Sequence, residues 1–580
     1  MMKSISKAVA IFGAAGFFAA SCVYIDDNLG KNFIPKDQIY DVRTAELSLG
    51  KSAVWLEPVD SLSGYSSSRI TVGAIRDGLG VSRRASAFTV VPLNDTIDVG
   101  QNTVIRQFRF SFLKDTLSCS DDSQRGIMQN IKVYSLSKPL DSTIIFSSDF
   151  TDEIVDRSRR ISAGVPVYTG GDSLAFDMSK EYAKRFVDLF SENPSVHGDL
   201  QEFLDVIPGI YLETDDPAGA GGRINMFGIK LGVEDYYYVT SNYAELKITA
   251  DYGTRTAVDT SFLFYYGPAD RSGTSSAQSA FNICSQPTDV LKHGGSAEGY
   301  STEEETYGNT SRTKIFYKDG TEIRIDGGNG LKPVVSARGI RAMVLDKLAE
   351  DGLDPAEVII NKATIVFPFK FPDDYADMPL YPAVLSPTCK LSLKTSPEDG
   401  SEPIKYAQFA GLTDASVDSE NQGDINRSLC IYSPDISHHV QEVIRLGDDA
   451  DFAEYDIWML IMAYETVTTS NNSSSSIYDS SYYQNLLYAQ YYNNMYGYGG
   501  YGGYGYGGYG YDSYGYGYNN YLNYAMLAMA YGSGGSSSTT STDLQLDKDR
   551  YYAGILYGTE TEEGEPKPTL KLIYSTIHKD

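Results

Sequence analysis

Short runs rich in β-branched and aromatic residues recur along most of this chain, and runs of that kind specify sheet rather than helix. They include TVIRQFRFSF (103–112), NIKVYSL (130–136), STIIFSS (142–148), AELKITADY (244–252), SFLFYYG (261–267), TKIFYKDGTEIRI (313–325), KATIVFPFKF (362–371) and TLKLIYSTI (569–577). Several alternate apolar with polar residues, the pattern of a sheet with one face in water. In NIKVYSL the alternation sets Ile131, Val133 and Ser135 on one face and Lys132, Tyr134 and Leu136 on the other. Within TKIFYKDGTEIRI, Asp319-Gly320 offers residues able to take the positive φ of a two-residue hairpin turn. The expectation is a mostly β protein of β-sandwich-like domains with a few short helices.

Helical spacing is confined to short stretches. Residues 179–192 place Tyr182, Phe186 and Leu189 on one stripe, and 337–352 place Ile340, Val344, Lys347 and Leu348 likewise. Gly352 can end the second in a left-handed cap. Residues 437–447 start at Ser437, a favourable N-cap, and end at Gly447. The segment 468–543 differs in kind: it is a long Tyr/Gly/Ser-rich, low-complexity insertion. Nineteen of the 46 tyrosines lie between Tyr478 and Tyr531, and 446–547 hold no Lys or Arg. Glycine at this density is costly to order and brings no packing side chain. Strand-like runs at 455–467 and 550–558 bracket the insertion, so it reads as a long loop let into a turn between two strands. Loop-closure entropy grows only logarithmically with length, so a sheet tolerates this. Composition divides the chain into a lipoprotein signal (1–21), an acidic tether (22–40), an N-terminal β region (41–155), a middle β region (156–335) holding helix 179–192, and a C-terminal β region (336–580) interrupted by 468–543.

The N-terminus carries the most specific signal. Lys3 and Lys7 precede an apolar run, Ala8 to Ala20. Thirteen helical residues reach only ~20 Å against a hydrocarbon core of ~30 Å, which favours a cleaved export signal over a membrane span. Small residues Ala19, Ala20 and Ser21 lead into Cys22, as lipoprotein processing requires. Ala19 stands where the bacterial lipobox prefers Leu; an ordinary secretory signal cut near Ala20 is the other reading. Acyl chains on Cys22, at ~0.8 kcal/mol per buried CH2, would hold a folded body firmly at a bilayer. Asp26 and Asp27 follow closely, and an acidic pair there resembles the surface-export signal of Bacteroidetes lipoproteins.

Charge excludes one large class of partner. Acidic residues outnumber basic ones 76 to 48, a net −28, and loss of Lys3 and Lys7 makes the mature chain −30. Phosphate backbones and anionic lipid repel such a chain, so no nucleic-acid partner is expected and attachment falls to the acyl chains. Beyond Cys22, Cys119, Cys284, Cys389 and Cys430 are far apart. They allow two disulfides in three connectivities, or buried free thiols. There is no GxGxxG, GxxxxGK[ST] or GxSxG, and adjacent His438 and His439 would point about 100° apart on a helix, too far to share a metal. They read as polar residues at a helix start. The acid pairs at 121–122, 215–216, 373–374 and 448–449 lack the spacing of a calcium loop and read as solvated turns. No catalytic residue, metal ligand or cofactor site is expected.

Taken in order, several segments resemble the DUF4270 family of Bacteroidetes lipoproteins. They are DDNLGKNFIP (26–35), RITVGAIRDGLGVSRRASAFTVVPL (69–93) with Gly73 and Gly80, NIKVYSLSKPLDSTIIFSSDF (130–150), FLDVIPGIYLET (203–214), NKATIVFPF (361–369) and KPTLKLIYSTI (567–577). The likeness covers most of the mature chain except the Tyr/Gly insertion. It implies a mostly β protein at the outer membrane with no known enzymatic activity. The functional expectation is therefore a lipid-anchored, surface-exposed structural or interaction subunit that docks with other envelope proteins, such as a barrel-assembly machine. A glycan-binding module, reading polysaccharide through exposed aromatic rings, is the alternative, and an undetected hydrolase stands third.

Overall fold

The computed structural model describes residues 40–59, 69–77, 80–114, 127–140, 153–229, 232–233, 237–238, 242–267, 281–285, 291, 296–307, 310–328, 330–390, 407, 409–413, 423–470, 538–547 and 550–578. Among them the chain is mostly β, paired antiparallel, with a few short helices. The strand-like run 142–148 lies outside the described residues.

Two hydrophobic cores organise the sheets. The first draws on residues 70–266. One of its sheets orders the strands Gly221–Gly228, Arg69–Asp77, Gly80–Phe88, Ile210–Thr214, Gln129–Leu136 and Val155–Arg160. The other orders Ser173–Asp177, Gln101–Leu113, Tyr243–Tyr252, Arg255–Tyr266 and Val90–Pro92. Strand Gln101–Leu113 shows how alternation builds this core. Phe108, Phe110 and Phe112 turn inward and are buried, while Arg109 between them is exposed. Phe108 lies 5.1 Å from Phe110, 5.1 Å from Phe186 and 5.4 Å from Phe264, and Phe112 stacks on Tyr266 at 4.7 Å. Each such ring contributes about 1.5–3 kcal/mol through burial, with edge and offset contacts adding to it. Helix Lys180–Glu192 caps the core with Tyr182, Ala183, Phe186, Val187 and Phe190. Its stripe is as expected, except that Phe190 rather than Leu189 is its fully buried end.

In Gln129–Leu136 the one-wet-face pattern holds only for the first half. Ile131 and Val133 enter the first core, but Tyr134 and Leu136 on the other face are buried too, with Ala85, Ala87, Val155 and Tyr211. Leu140 and Ile154 pack against this second cluster, so the far end of the strand has apolar neighbours on both faces. Residue 155 opens a strand of this same sheet, and Val335 ends a strand that shares a core with Ile340 of the next helix. The stretch 69–285 is let into the second core, which resumes at Leu291.

The second core joins the two ends of the described chain. Strand Tyr40–Ser48 pairs with Thr569–Ile577, which pairs in turn with Ile359–Pro368. Rows of inward side chains cross all three: Leu47, Leu570 and Ile365, then Ala45, Leu572 and Ala363. A ten-stranded sheet packs opposite, and helix Ala337–Glu350 covers the core with Ile340, Val344 and Leu348. The helix ends as expected: Gly352 has φ +70° and Leu353 N donates to Leu348 O at 2.9 Å.

Three local expectations change. Helix Ser437–Val443 begins one residue earlier than an N-cap at Ser437 would allow and stops before Gly447. Asp435 Oδ1 accepts from Ser437 N, and Ser437 Oγ accepts from Ala363 N, so the hydroxyl serves the neighbouring strand. The hairpin after Tyr317 spans four residues, since Tyr317 pairs with Glu322; Lys318, Asp319 and Gly320 have φ of 45°, 54° and 90°. The longer turn is braced from outside by Gly558 N on Thr321 O and Glu560 N on Gly320 O. Finally, Ile457–Ser470 pairs with Ser538–Leu546, not with 550–558, where only Ile555–Tyr557 is strand and joins Glu322–Arg324. The insertion thus does sit between two paired strands, and the Ser/Thr flanks themselves form the far end of the pairing, up to Ser470 and Ser538. Residues 471–537 lie outside the described residues.

Candidate functional site

Cys22, Asp26 and Asp27 precede residue 40 and lie outside the described residues. What the structure shows is the place they lead to. Tyr40 is 18 positions beyond Cys22, a reach of at most ~60 Å if extended. It opens an edge strand: among the described residues Tyr40–Ser48 pairs with Thr569–Ile577 alone. The outer face of this sheet changes character along its length. Near Ser48 it is polar, with Lys571 Nζ 3.6 Å from Glu46 Oε1. Toward Tyr40 it turns apolar. Val42 and Ile359 flank Ser575 from its two sides, and Tyr40 faces Ile577 one row on. Tyr40 is 49% exposed, Val42 63%, Ile359 44% and Ile577 46%. Large apolar side chains are thus gathered on one face near an open edge. Among the described residues no helix is long and apolar enough to cross a membrane.

The nearest approach to a catalytic constellation is Cys389, His439 and Asp456, around the carbonyl of Tyr455. Cys389 Sγ lies 3.8 Å from that oxygen and His439 Nε2 2.9 Å. Burial pushes the Cys389 thiol well up and the His439 imidazole down to about 4, so one is protonated and the other neutral at pH 7. Burial pushes Asp456 up to about 6, against the pull of Arg312. For Arg312, burial acts downward, but the Glu57 and Asp456 carboxylates outweigh it and the guanidinium stays charged. Asp456 Oδ1 accepts from Ala337 N at 2.8 Å, at the start of helix Ala337–Glu350, and its other oxygen takes Arg312 Nη1. Arg312 Nε reaches Glu57 at 2.6 Å, and its guanidinium lies 4.8 Å from the Trp55 ring centre. These groups fasten a helix to a sheet. Both histidines fall at the start of helix Ser437–Val443, with His438 exposed and His439 buried.

The acid pairs do ordinary surface work. Asp216 holds Arg83 at 2.5 Å, Asp215 holds Lys132, and Asp448 meets Arg341 at 2.9 Å. Asp374 and Asp451 cap short 3-10 helices through Ala376 N and Ala453 N. Asp121 and Asp122 lie outside the described residues, as does Cys119. Among the described residues no group of three or more His, Cys, Asp or Glu is placed to hold a metal. Cys389 and Cys430 are free thiols, and Cys284 lies in strand Phe281–Ser285.

Three arrangements had no sequence signal. Arg223 is buried in a glycine-flanked strand, donating to Tyr168 O at 3.0 Å, beside Asn225 and Gln129, which bond each other at 2.9 Å. Gly73 makes that strand pairing possible: its φ is +156°, and a Cβ there would stand 2.0 Å from Arg223 O. Arg324 joins the two cores, with Nη2 2.8 Å from Asp77 Oδ2 and Nε 3.0 Å from Asp326 Oδ1; Tyr551 also donates to Asp77, at 3.2 Å. Phe371 and Tyr375 stand exposed together on one loop. The first two depend on residues brought together from distant parts of the chain, whereas the third lies within five consecutive residues. No family model, no curated protein and no solved structure matches this chain, so any functional reading stands on these surfaces and on the N-terminal motif.

Proposed function

We propose that this chain is a lipid-anchored protein of the outer-membrane exterior, acting as a non-catalytic interaction subunit for other envelope proteins. Acyl chains on Cys22 hold it to the bilayer, and Asp26 and Asp27 direct it outward. The DUF4270 resemblance, carried by motif order alone, points the same way and suggests an outer-membrane barrel-assembly machine as the kind of partner. The observation that carries the reading is the end of the body nearest the tether. There an open edge strand and the apolar patch Tyr40, Val42, Ile359 and Ile577 lie together. An anchor of at most ~60 Å keeps that patch within reach of membrane-embedded proteins and raises their effective concentration.

The test is affinity purification from native membranes in mild detergent, followed by mass spectrometry. The expected result is co-purification of one or more outer-membrane proteins, lost when Val42→Asp and Ile577→Asp are combined. Recovery of the wild-type chain alone as a monomer overturns the docking role. An N-terminal peptide without acyl mass, or full resistance to protease added to intact cells, overturns the anchor or its outward orientation respectively.

A further inference from the structure

Beyond the docking patch, the second core displays one more surface with binding chemistry. Phe371 is 49% exposed and Tyr375 64%, their ring centres 6.4 Å apart and their planes 30° from parallel. The two rings sit on the loop that leaves strand Ile359–Pro368 and enters the 3-10 helix Tyr375–Leu380.

The loop beneath them is firmly built. Phe369, two residues before Phe371, is buried, 5.1 Å from the Tyr381 ring and 5.8 Å from Tyr432. Tyr381 donates its hydroxyl to Lys370 O, and Lys370 N donates to Ile555 O at 2.8 Å. Asp374 Oδ1 accepts from Ala376 N at 2.9 Å, and Met378 anchors the helix in the core at 2% exposure. Both flanks of the aromatic pair are therefore tied to buried groups, while the rings themselves face water. Two rings held that way forgo about 1 kcal/mol or more each of burial. Rings kept exposed on a braced loop are surface waiting for a ligand.

The surrounding charge narrows the ligand. Asp373, Asp374 and Asp377 are all exposed on the same loop. Asp374 presents a carboxylate oxygen beyond the one used for capping, Asp373 beside it is exposed, and a carboxylate accepts but cannot donate. A pyranose matches both features: its C–H face stacks on an aromatic ring and its hydroxyls donate to carboxylates. Anionic ligands such as phosphate headgroups or uronic acids are repelled by the three aspartates. We propose that Phe371 and Tyr375 form a platform for a neutral polysaccharide, with Asp373 and Asp374 accepting hydrogen bonds from its hydroxyls. The exposed rings are two on a loop with tilted planes, so the platform fits a twisted chain of neutral sugars rather than a flat crystalline surface.

The site is separate from the Tyr40 patch, so its test is independent of the docking reading. The full mature chain is run in native affinity gels containing soluble neutral glucans, mannans, galactans or xylans, with polygalacturonate as the acidic control. The expected result is retardation by at least one neutral polymer and not by polygalacturonate. Tyr375→Ala lowers affinity about tenfold, Phe371→Ala/Tyr375→Ala abolishes it, and Tyr375→Phe retains it. Unchanged near-ultraviolet circular dichroism confirms that the variants are folded. No retardation by any neutral polymer, or retardation that survives the double substitution, overturns the proposal. Retardation by polygalacturonate alone overturns it as well.

Discussion

Aromatic rings from an uninterrupted stretch, 70–266, close the first core, whereas the second gathers aliphatic side chains from both ends of the described chain and leans on buried ionic groups. Ring packing of the first kind is indifferent to pH and salt. In the second, residues Ala45 and Leu47 wait for Leu570 and Leu572, more than 500 positions away, before their burial is complete. Contacts that distant are slow to form, because loop closure precedes any gain from them. The second core also fastens its helix with Arg312, Asp456 and Glu57, groups whose desolvation is expensive and whose separation is more expensive still. The first unit therefore closes within one stretch of the chain, whereas the second joins its two described ends and packs around a buried ionic cluster.

The sharpest way to break this contrast is Phe108→Ala. It removes a ring at the centre of the first core and is expected to cost about 3–5 kcal/mol there. Urea unfolding followed by hydrogen exchange should show protection lost in 101–113 and 243–266 while 359–368 and 569–577 keep theirs. Equal loss in both would mean the cores unfold as one.

Acidification is expected to act on the second core. Burial lowers the folded-state His439 to about 4 from an ordinary 6.5. The stability from keeping it neutral is present above 6.5 and is lost as pH falls toward 4, about 2 kcal/mol between pH 7 and pH 5. Asp456 works the other way: its carboxyl is raised to about 6, so its contribution is present at low pH and lost as pH rises through 6. His439→Gln should remove the acid-side loss and leave the Asp456 trend, so that urea midpoints of the variant rise on acidification relative to wild type. Parallel pH profiles for the two would show that His439 is not buried neutral.

The smallest effect is expected at the junction. Asp77→Asn weakens the Arg324 and Tyr551 contacts between the cores, at a cost of about 0.5–1 kcal/mol because Asp77 is partly exposed. Its signature should be a widened gap between the unfolding midpoints of the two cores. An unchanged gap would mean that other contacts carry the coupling.

Much of the local structure was legible beforehand. The strands at 101–113, 243–252 and 569–577 and the helices at 180–192 and 337–350 follow from residue type and period, which act over a few neighbours. So did the insertion's place between paired strands. The turn after Tyr317 was misjudged because residues 558–560, far along the chain, brace it from outside. The burial of His439 was not legible, because helical period tells which way a residue points, not what covers it. The partner strand of Ile457–Ser470 was misplaced because a Ser/Thr-rich run such as 538–546 carries a weak strand signal until a neighbouring edge supplies its hydrogen bonds.

Periodicity and charge were enough to establish a sheet-rich, strongly acidic chain, because each is a property of neighbours in sequence. The meeting of residues 40–48 with 569–577, the housing of one core inside the chain path of another and the Asp77–Arg324 junction came only with the folded chain. Those depend on which of many compatible strand edges and apolar faces pair. That choice is made by the summed burial of distant side chains, a quantity that no local window of residues contains.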